Sequence, residues 1–175
     1  RRCRGNNTMK FVIDSETNGL NSIEHRITCI SILNIDTKEV QSFFGEDEKK
    51  ILEQFFNSIE NVDELIGFNS NSFDIPFIIK RAIINKVRLP QYWKQIKHTD
   101  LRKVVNSFFI SYNAKEHGTL NQWGVILGCG EKESNGLECV EAYNRKDWKF
   151  IKEHCEFDCM ITKALLIRCK ECNVL

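Results

Sequence analysis

Four carboxylates in three separated segments carry the chemistry this sequence offers: Asp14 and Glu16 in FVIDSETNGL, Asp74 in FNSNSFDIPF and Asp158 in HCEFD. The first pair follows the apolar run Phe11, Val12 and Ile13. An ionised side chain there is costly to desolvate unless something offsets it. A divalent cation held by oxygen ligands is the usual compensation. Four acids converging on one point would make a site for two metal ions, an arrangement that cleaves phosphodiesters.

Each acid also has a plainer role to set beside that one. Asp14 and Glu16 are two apart, so in a strand they project from one side, here where the strand meets its loop. Taken as an isolated triplet they would be a turn Asp and a surface Glu. Asp74 stands between Phe73 and Ile75-Pro76, which reads as a helix N-cap with proline tolerated in the first turn. A capping carboxylate can still turn toward a metal. Asp158 lies in a helical segment, with His154 one turn earlier on the same face. A lone helical histidine is usually a surface or core residue. Beside a metal-holding acid it becomes a candidate to orient or deprotonate an attacking water.

The elements that must position these residues follow from pattern and turn chemistry. Lys10 to Asp14 is expected to be a strand stopped by Thr17-Asn18-Gly19, with further strands at Arg26 to Asn34, Val40 to Phe44, Glu64 to Phe68 and Ile96 to Thr99. Helices are expected at Asp47 to Ile59, Phe73 to Asn85, Leu101 to Phe108, Leu120 to Leu127, Leu137 to Tyr143 and Trp148 to about Cys172. The breaks fall at Gly128-Cys129-Gly130 and Ser134-Asn135-Gly136. This order predicts an α/β domain: a mixed five-stranded sheet flanked by helices, with a helical C-terminal half. Residues 1–8 read as an extension ahead of Met9, and residues 9–175 as a single domain.

The bulk numbers describe an ordinary globular protein of 175 residues, 42% hydrophobic and 28% charged, with a net charge of +1. No apolar stretch is long enough to span a membrane, and the start, RRCRGNNTMK, lacks the apolar core of a secretory signal. Between Lys80 and Lys103 eight cations face one acid, Asp100, with Tyr92 and Trp93 among them. That stretch is either a surface that tracks phosphates and stacks bases or a solvated helix face followed by a loop. The eight cysteines read as reduced thiols in a cytoplasmic setting. Cys155, Cys159, Cys169 and Cys172 fall on one expected helix spanning about 25 Å, too long for them to share a zinc ion.

Taken together, the segments resemble the DEDD superfamily of 3′–5′ exonucleases. FVIDSETNGL is similar to the first exonuclease motif, a D-x-E followed by Thr, Gly and Leu. FNSNSFD is similar to the N-x-x-x-F-D motif of family-B DNA polymerase proofreading domains, through Asn69, Phe73 and Asp74. The stretch GTLNQWGVILG, then Lys132, Gly136, Tyr143 and Ile151, then EHCEFDCMIT is similar to stand-alone relatives of those domains. HTDL, with Asp100, resembles a further conserved block. One position departs: where the tyrosine-type branch has Tyr four residues before the last Asp, this chain has His154.

The resemblance implies a ribonuclease H-like fold and a two-metal exonuclease that releases 5′-mononucleotides from single-stranded DNA or RNA 3′ ends. It implies Asp14, Glu16, Asp74 and Asp158 as ligands of two Mg²⁺ or Mn²⁺ ions, Asp14 bridging them, with His154 in place of the tyrosine. It further implies that Thr17 and Leu20 hold the terminal nucleotide, with Asn69 and Phe73 lining the other side. A separate polymerase or repair protein would be the partner for any proofreading. Two alternatives remain at this stage: a catalytically weak or inactive nucleic-acid-binding or docking module of the same fold, and an endonuclease of ribonuclease H type.

Overall fold

The computed structural model describes residues 8–106, 118–130 and 136–175. Most of the expected N-terminal extension, Cys3, residues 107 and 108 of the expected helix from Leu101, Lys132, and the break at Ser134-Asn135 lie outside the described residues. Strand β1 (Lys10–Thr17) occupies the middle of a five-stranded sheet with order β3-β2-β1-β4-β5. The others are β2 (Ile27–Asn34), β3 (Val40–Phe44), β4 (Glu64–Gly67) and β5 (Lys97–Asp100). β1, β2 and β3 pair antiparallel, joined by residues 18–26 and 35–39, whereas β4 and β5 add on the other side in parallel. The mixed α/β sheet is the one expected.

β1 runs past Asp14 to Thr17, farther than its apolar run alone suggests. Backbone pairing carries it: Asp14 sits opposite Ser31, Ser15 opposite Ile30 and Glu16 opposite Cys29, before the register shifts between Glu16 and Thr17. Both acids of the first segment therefore belong to a rigid strand rather than to its loop. Alternation sorts the side chains between two layers. Phe11 and Ile13 face a core shared with α1 (Glu48–Ser58) and α2 (Asp74–Ile84), where Phe55, Leu52 and Ile78 pack. Val12 faces the opposite layer and packs with Leu33 and Cys159 of α6 (Trp148–Glu171). β2, covered on both faces, is buried along nearly its whole length.

The remaining helices are α3 (Leu101–Val105), α4 (Leu120–Ile126) and α5 (Gly136–Arg145). α3 ends sooner than expected because Asn106 caps it and returns its side-chain amide to the Arg102 carbonyl at 2.8 Å. A capping box starts α4: Thr119 Oγ1 accepts from the Gln122 amide, and Gln122 Oε1 accepts from the Thr119 amide. Gly124 lets α4 lie close on α6, since a Cβ there would come within 2.9 Å of Ile161.

The cationic stretch is not a base-stacking surface. Trp93 is buried against Phe55 and Phe56, and the Tyr92 hydroxyl donates to the Phe56 carbonyl at 2.8 Å. Arg81 is buried too, donating through Nε and Nη2 to Glu48 at 2.8 and 2.7 Å. The aromatic spacing there serves the core, and Arg81 neutralises an acid that also accepts from the Ile27 amide. Lys97 joins Lys10 on Glu64, each at 2.9 Å, while Thr99 donates to the same carboxylate at 2.6 Å. That group ties β1, β4 and β5 together.

Candidate metal centre

A cavity of about 400 Å³ opens beside the C-terminal half of β1. Asp14, Glu16, Asp74, His154 and Asp158 all line it, with Asn69 and Phe73. Three elements bring the acids there: β1 carries Asp14 and Glu16, the first turn of α2 carries Asp74, and α6 carries Asp158. Asp14 and Glu16 face α6, where each offers an oxygen within 4.8 Å of the other and of Cys155 Sγ. His154 Nε2 stands 3.5 Å from Glu16 Oε1. Glu16, His154 and the Cys139 thiol of α5 form a second cluster of the same spacing.

Asp74 is not the helix cap its sequence position suggested. Phe73 is the N-cap and makes no side-chain cap bond; Asp74 is the first helical residue. Its Oδ1 accepts instead from Ser15 Oγ at 2.5 Å. Burial pushes the Asp74 carboxyl up to about 7, and the charge of Asp100 adds to that, while the bonds from Ser15 and the backbone oppose it. A cation in contact would favour the ionised form and reverse the shift.

The loop ahead of Asp74 is built on Asp100. Its Oδ1 accepts from the Asn69 amide at 2.8 Å and the Arg102 amide at 3.1 Å, and its Oδ2 from the Asn71 amide at 3.2 Å. Asn69 takes a left-handed φ of 64°, a conformation asparagine tolerates. Arg102 Nη1 donates to Asn69 Oδ1 at 3.0 Å, which brings a guanidinium into the cavity wall.

α6 places His154 and Asp158 one turn apart, both buried, with Cys155 and Cys159 between the helix and the sheet. The Cys155 thiol donates to Asp14 Oδ2 at 3.4 Å. Burial drives both thiols well up; Asp14 acts on each, and on Cys159 the charges of Asp158 and Asp74 add as well. These thiols are neutral donors beneath the acids. None of the seven cysteines within the described residues is joined in a disulfide.

Thr17 and Leu20 do not line the cavity. Thr17 is buried and donates to the Gly19 carbonyl, and Leu20 is 84% exposed on the loop beyond β1. Three residues of the site were not singled out from sequence. Ser15 lies on the opposite face of β1 from its flanking acids, Arg102 sat in a stretch counted only for its charge, and Cys139 sits on a different helix from the paired cysteines.

A family described as predicted 3′–5′ exonucleases related to the exonuclease domain of PolB matches residues 20–174. The chain belongs to that family. Asp74, Asp100, His154 and Asp158 lie inside the match; Asp14 and Glu16 precede it and join the site by geometry. An uncharacterized protein of Methanocaldococcus jannaschii is 29% identical over 140 residues, covering 78% of this chain and 77% of that one. The family B DNA polymerase of the hyperthermophilic archaeon Pyrobaculum calidifontis superposes with a TM-score of 0.77 at 17% identity, over 96% of this chain. The chain spans 25% of that polymerase's length, so the likeness is one of fold. No helix among the described residues is long and apolar enough to cross a membrane.

Family and site agree on the class of chemistry, that of a nuclease-like hydrolase. The donors also fit the metals. Four carboxylates in one cavity are hard oxygen ligands of the kind Mg²⁺ and Mn²⁺ take.

Proposed function

We propose that the chain is a metal-dependent 3′–5′ exonuclease that hydrolyses single-stranded DNA or RNA from the 3′ end and releases 5′-mononucleotides. The observation that carries this reading is the meeting of Asp14, Glu16, Asp74 and Asp158 in one cavity with His154 at its wall. Two Mg²⁺ or Mn²⁺ ions held by these carboxylates would supply Lewis-acid stabilisation of the scissile phosphate and a more acidic water.

The protein's own residues do the rest. Asp14, on β1 beside Glu16 and bonded by the Cys155 thiol, is the carboxylate that the family resemblance implies would serve both cations. His154 Nε2, held near Glu16, orients the attacking water and accepts its proton when neutral. Burial of that imidazole excludes competing solvent. Arg102, which lines the same cavity, pairs with substrate phosphate, its fork held by Asn69. Phe73 offers an apolar surface to the terminal base. Leu20, exposed on the loop beyond β1 and outside the cavity lining, would have to reach the same nucleotide once substrate is bound, with the Thr17 backbone toward its sugar. A separate polymerase or repair protein and a cytoplasmic setting complete the proposal.

The test is a time course on 3′- and 5′-labelled single-stranded DNA and RNA oligomers with Mg²⁺, Mn²⁺ or chelator. The expected result is stepwise loss from the 3′ end, mononucleotide products and no cleavage of a circular single strand. Asp14→Ala, folded by circular dichroism, should be inactive. Binding without cleavage at any metal concentration would instead identify a docking module of the same fold.

A further inference from the structure

Beside the carboxylate site lies a donor set of different chemistry. Glu16 from β1, Cys139 from α5 and His154 from α6 place an oxygen, a sulfur and a nitrogen within 4.8 Å of one another, and all three residues are buried. Donor atoms around a tetrahedral zinc ion lie about 3.3–3.8 Å apart, given bonds of about 2.0–2.3 Å. The 3.5 Å between His154 Nε2 and Glu16 Oε1 already falls in that range. The two sides that involve the Cys139 thiol lie within 4.8 Å.

We propose that Glu16, Cys139 and His154 form a site for Zn²⁺, with a fourth position facing the cavity. Thiolate and imidazole are poor ligands for Mg²⁺ and good ones for zinc, so the site is selective against the ions suited to the four carboxylates. Zinc binding would displace the thiol proton to solvent, and no redox step is involved. Glu16 belongs to both donor sets, and His154 cannot ligate zinc and serve a water at once. Zinc in this site therefore excludes the arrangement proposed for hydrolysis and acts as an inhibitor. Occupancy stands on the geometry alone; inhibition rests on the nuclease reading above.

Two measurements on the full chain test occupancy. X-ray absorption at the zinc edge of protein loaded with one equivalent of Zn²⁺ should show one sulfur with nitrogen and oxygen neighbours. Any other sulfur count overturns the site, including none. Co²⁺ as a probe should give a thiolate-to-metal charge-transfer band that Cys139→Ser abolishes and Cys172→Ser, at an exposed thiol outside the site, leaves in place. A band that survives Cys139→Ser also overturns it. The first measurement needs no variant, so a substituted protein that fails to fold leaves the test intact.

Inhibition is read separately. Relative to each protein's own Mg²⁺-supported rate, Cys139→Ser should need at least about tenfold more Zn²⁺ for half inhibition. An unchanged zinc response would end the inhibitory role. A chain with no nuclease activity but with the one-sulfur site would retain the zinc site and remove the hydrolytic reading instead.

Discussion

Ser15 Oγ donates to Asp74 Oδ1 at 2.5 Å, joining residues 59 apart in sequence. The residue between the two acids of β1 thus holds the third acid from the far face of the same strand. Removing it should matter for metal binding more than for folding. Ser15→Ala is expected to cost about 1–2 kcal/mol of the buried hydrogen bond. Without its donor, the Asp74 carboxyl rises further, so Mg²⁺ or Mn²⁺ affinity should fall several-fold at pH 6–7 and recover toward pH 9. Calorimetric metal titrations at those pH values check it, and a pH-independent loss would count against the link.

Asp74 also sets the pH response of the metal-free protein. Its carboxyl is raised in the fold from 3.8 to about 7 by burial, so the folded state holds the proton more tightly than the unfolded chain. Linkage then gives the sign: this contribution is fully present below about pH 4 and is lost as pH rises through 7. Asp74→Asn should flatten that slope and stabilise the metal-free protein at neutral pH, by on the order of 2 kcal/mol. Added Mg²⁺ should stabilise the unsubstituted protein most above pH 7. Denaturant midpoints across pH 4–9, with and without metal, measure both effects.

Glu64 works in the opposite sense. Burial alone would raise it, yet bonds from Thr99, Lys97 and Lys10 bring it down to about 2. Its contribution is complete above 4.5, the ordinary value, and disappears as pH falls through 2. Glu64→Gln should lower stability at pH 7 by about 1–3 kcal/mol and remove part of the acid-side loss. Lys10 and Lys97 keep some access to water, which holds the cost to that range. Thermal unfolding of both proteins from pH 2 to 7 is the check.

Asp100 should act on substrate through the loop it holds. Asp100→Ala leaves the Asn69, Asn71 and Arg102 amides without their carboxylate and loosens Asn69, whose Oδ1 holds the Arg102 guanidinium. A rise in KM larger than the fall in kcat is expected, with faster amide exchange at Asn69 and Asn71. Stability should drop by about 2–4 kcal/mol. A change in kcat alone would place Asp100 elsewhere in the mechanism.

Much of the layout was legible because it rests on local pattern. β2 and β3 announce themselves by apolar runs, α6 by its helical period, and the mixed five-stranded sheet by the succession of strands and helices, though not the order of its strands. The misread places share one cause, long-range pairing. β1 extends through Glu16 because β2 hydrogen-bonds it, which no feature of SET reveals. Asp74 looked like a cap because capping is the commoner local role, and only the approach of Ser15 takes it away. Trp93 and Tyr92 sat among lysines and left a stacking surface and a solvated face both open; contacts with Phe55 and Phe56 tie both rings to the core. The four acids could be paired from sequence only by resemblance, since nothing local ties residue 14 to residue 158.

That separation has a consequence for synthesis. Asp14 leaves the ribosome well before Asp158, which arrives on α6, and α6 must dock across β1 and β2 before the two can share a ligand. A nascent chain thus carries an incomplete set of acids while it is still tethered near messenger and ribosomal RNA. The four-carboxylate cavity is complete only when translation has delivered α6, so the topology itself works as a delay in assembling it.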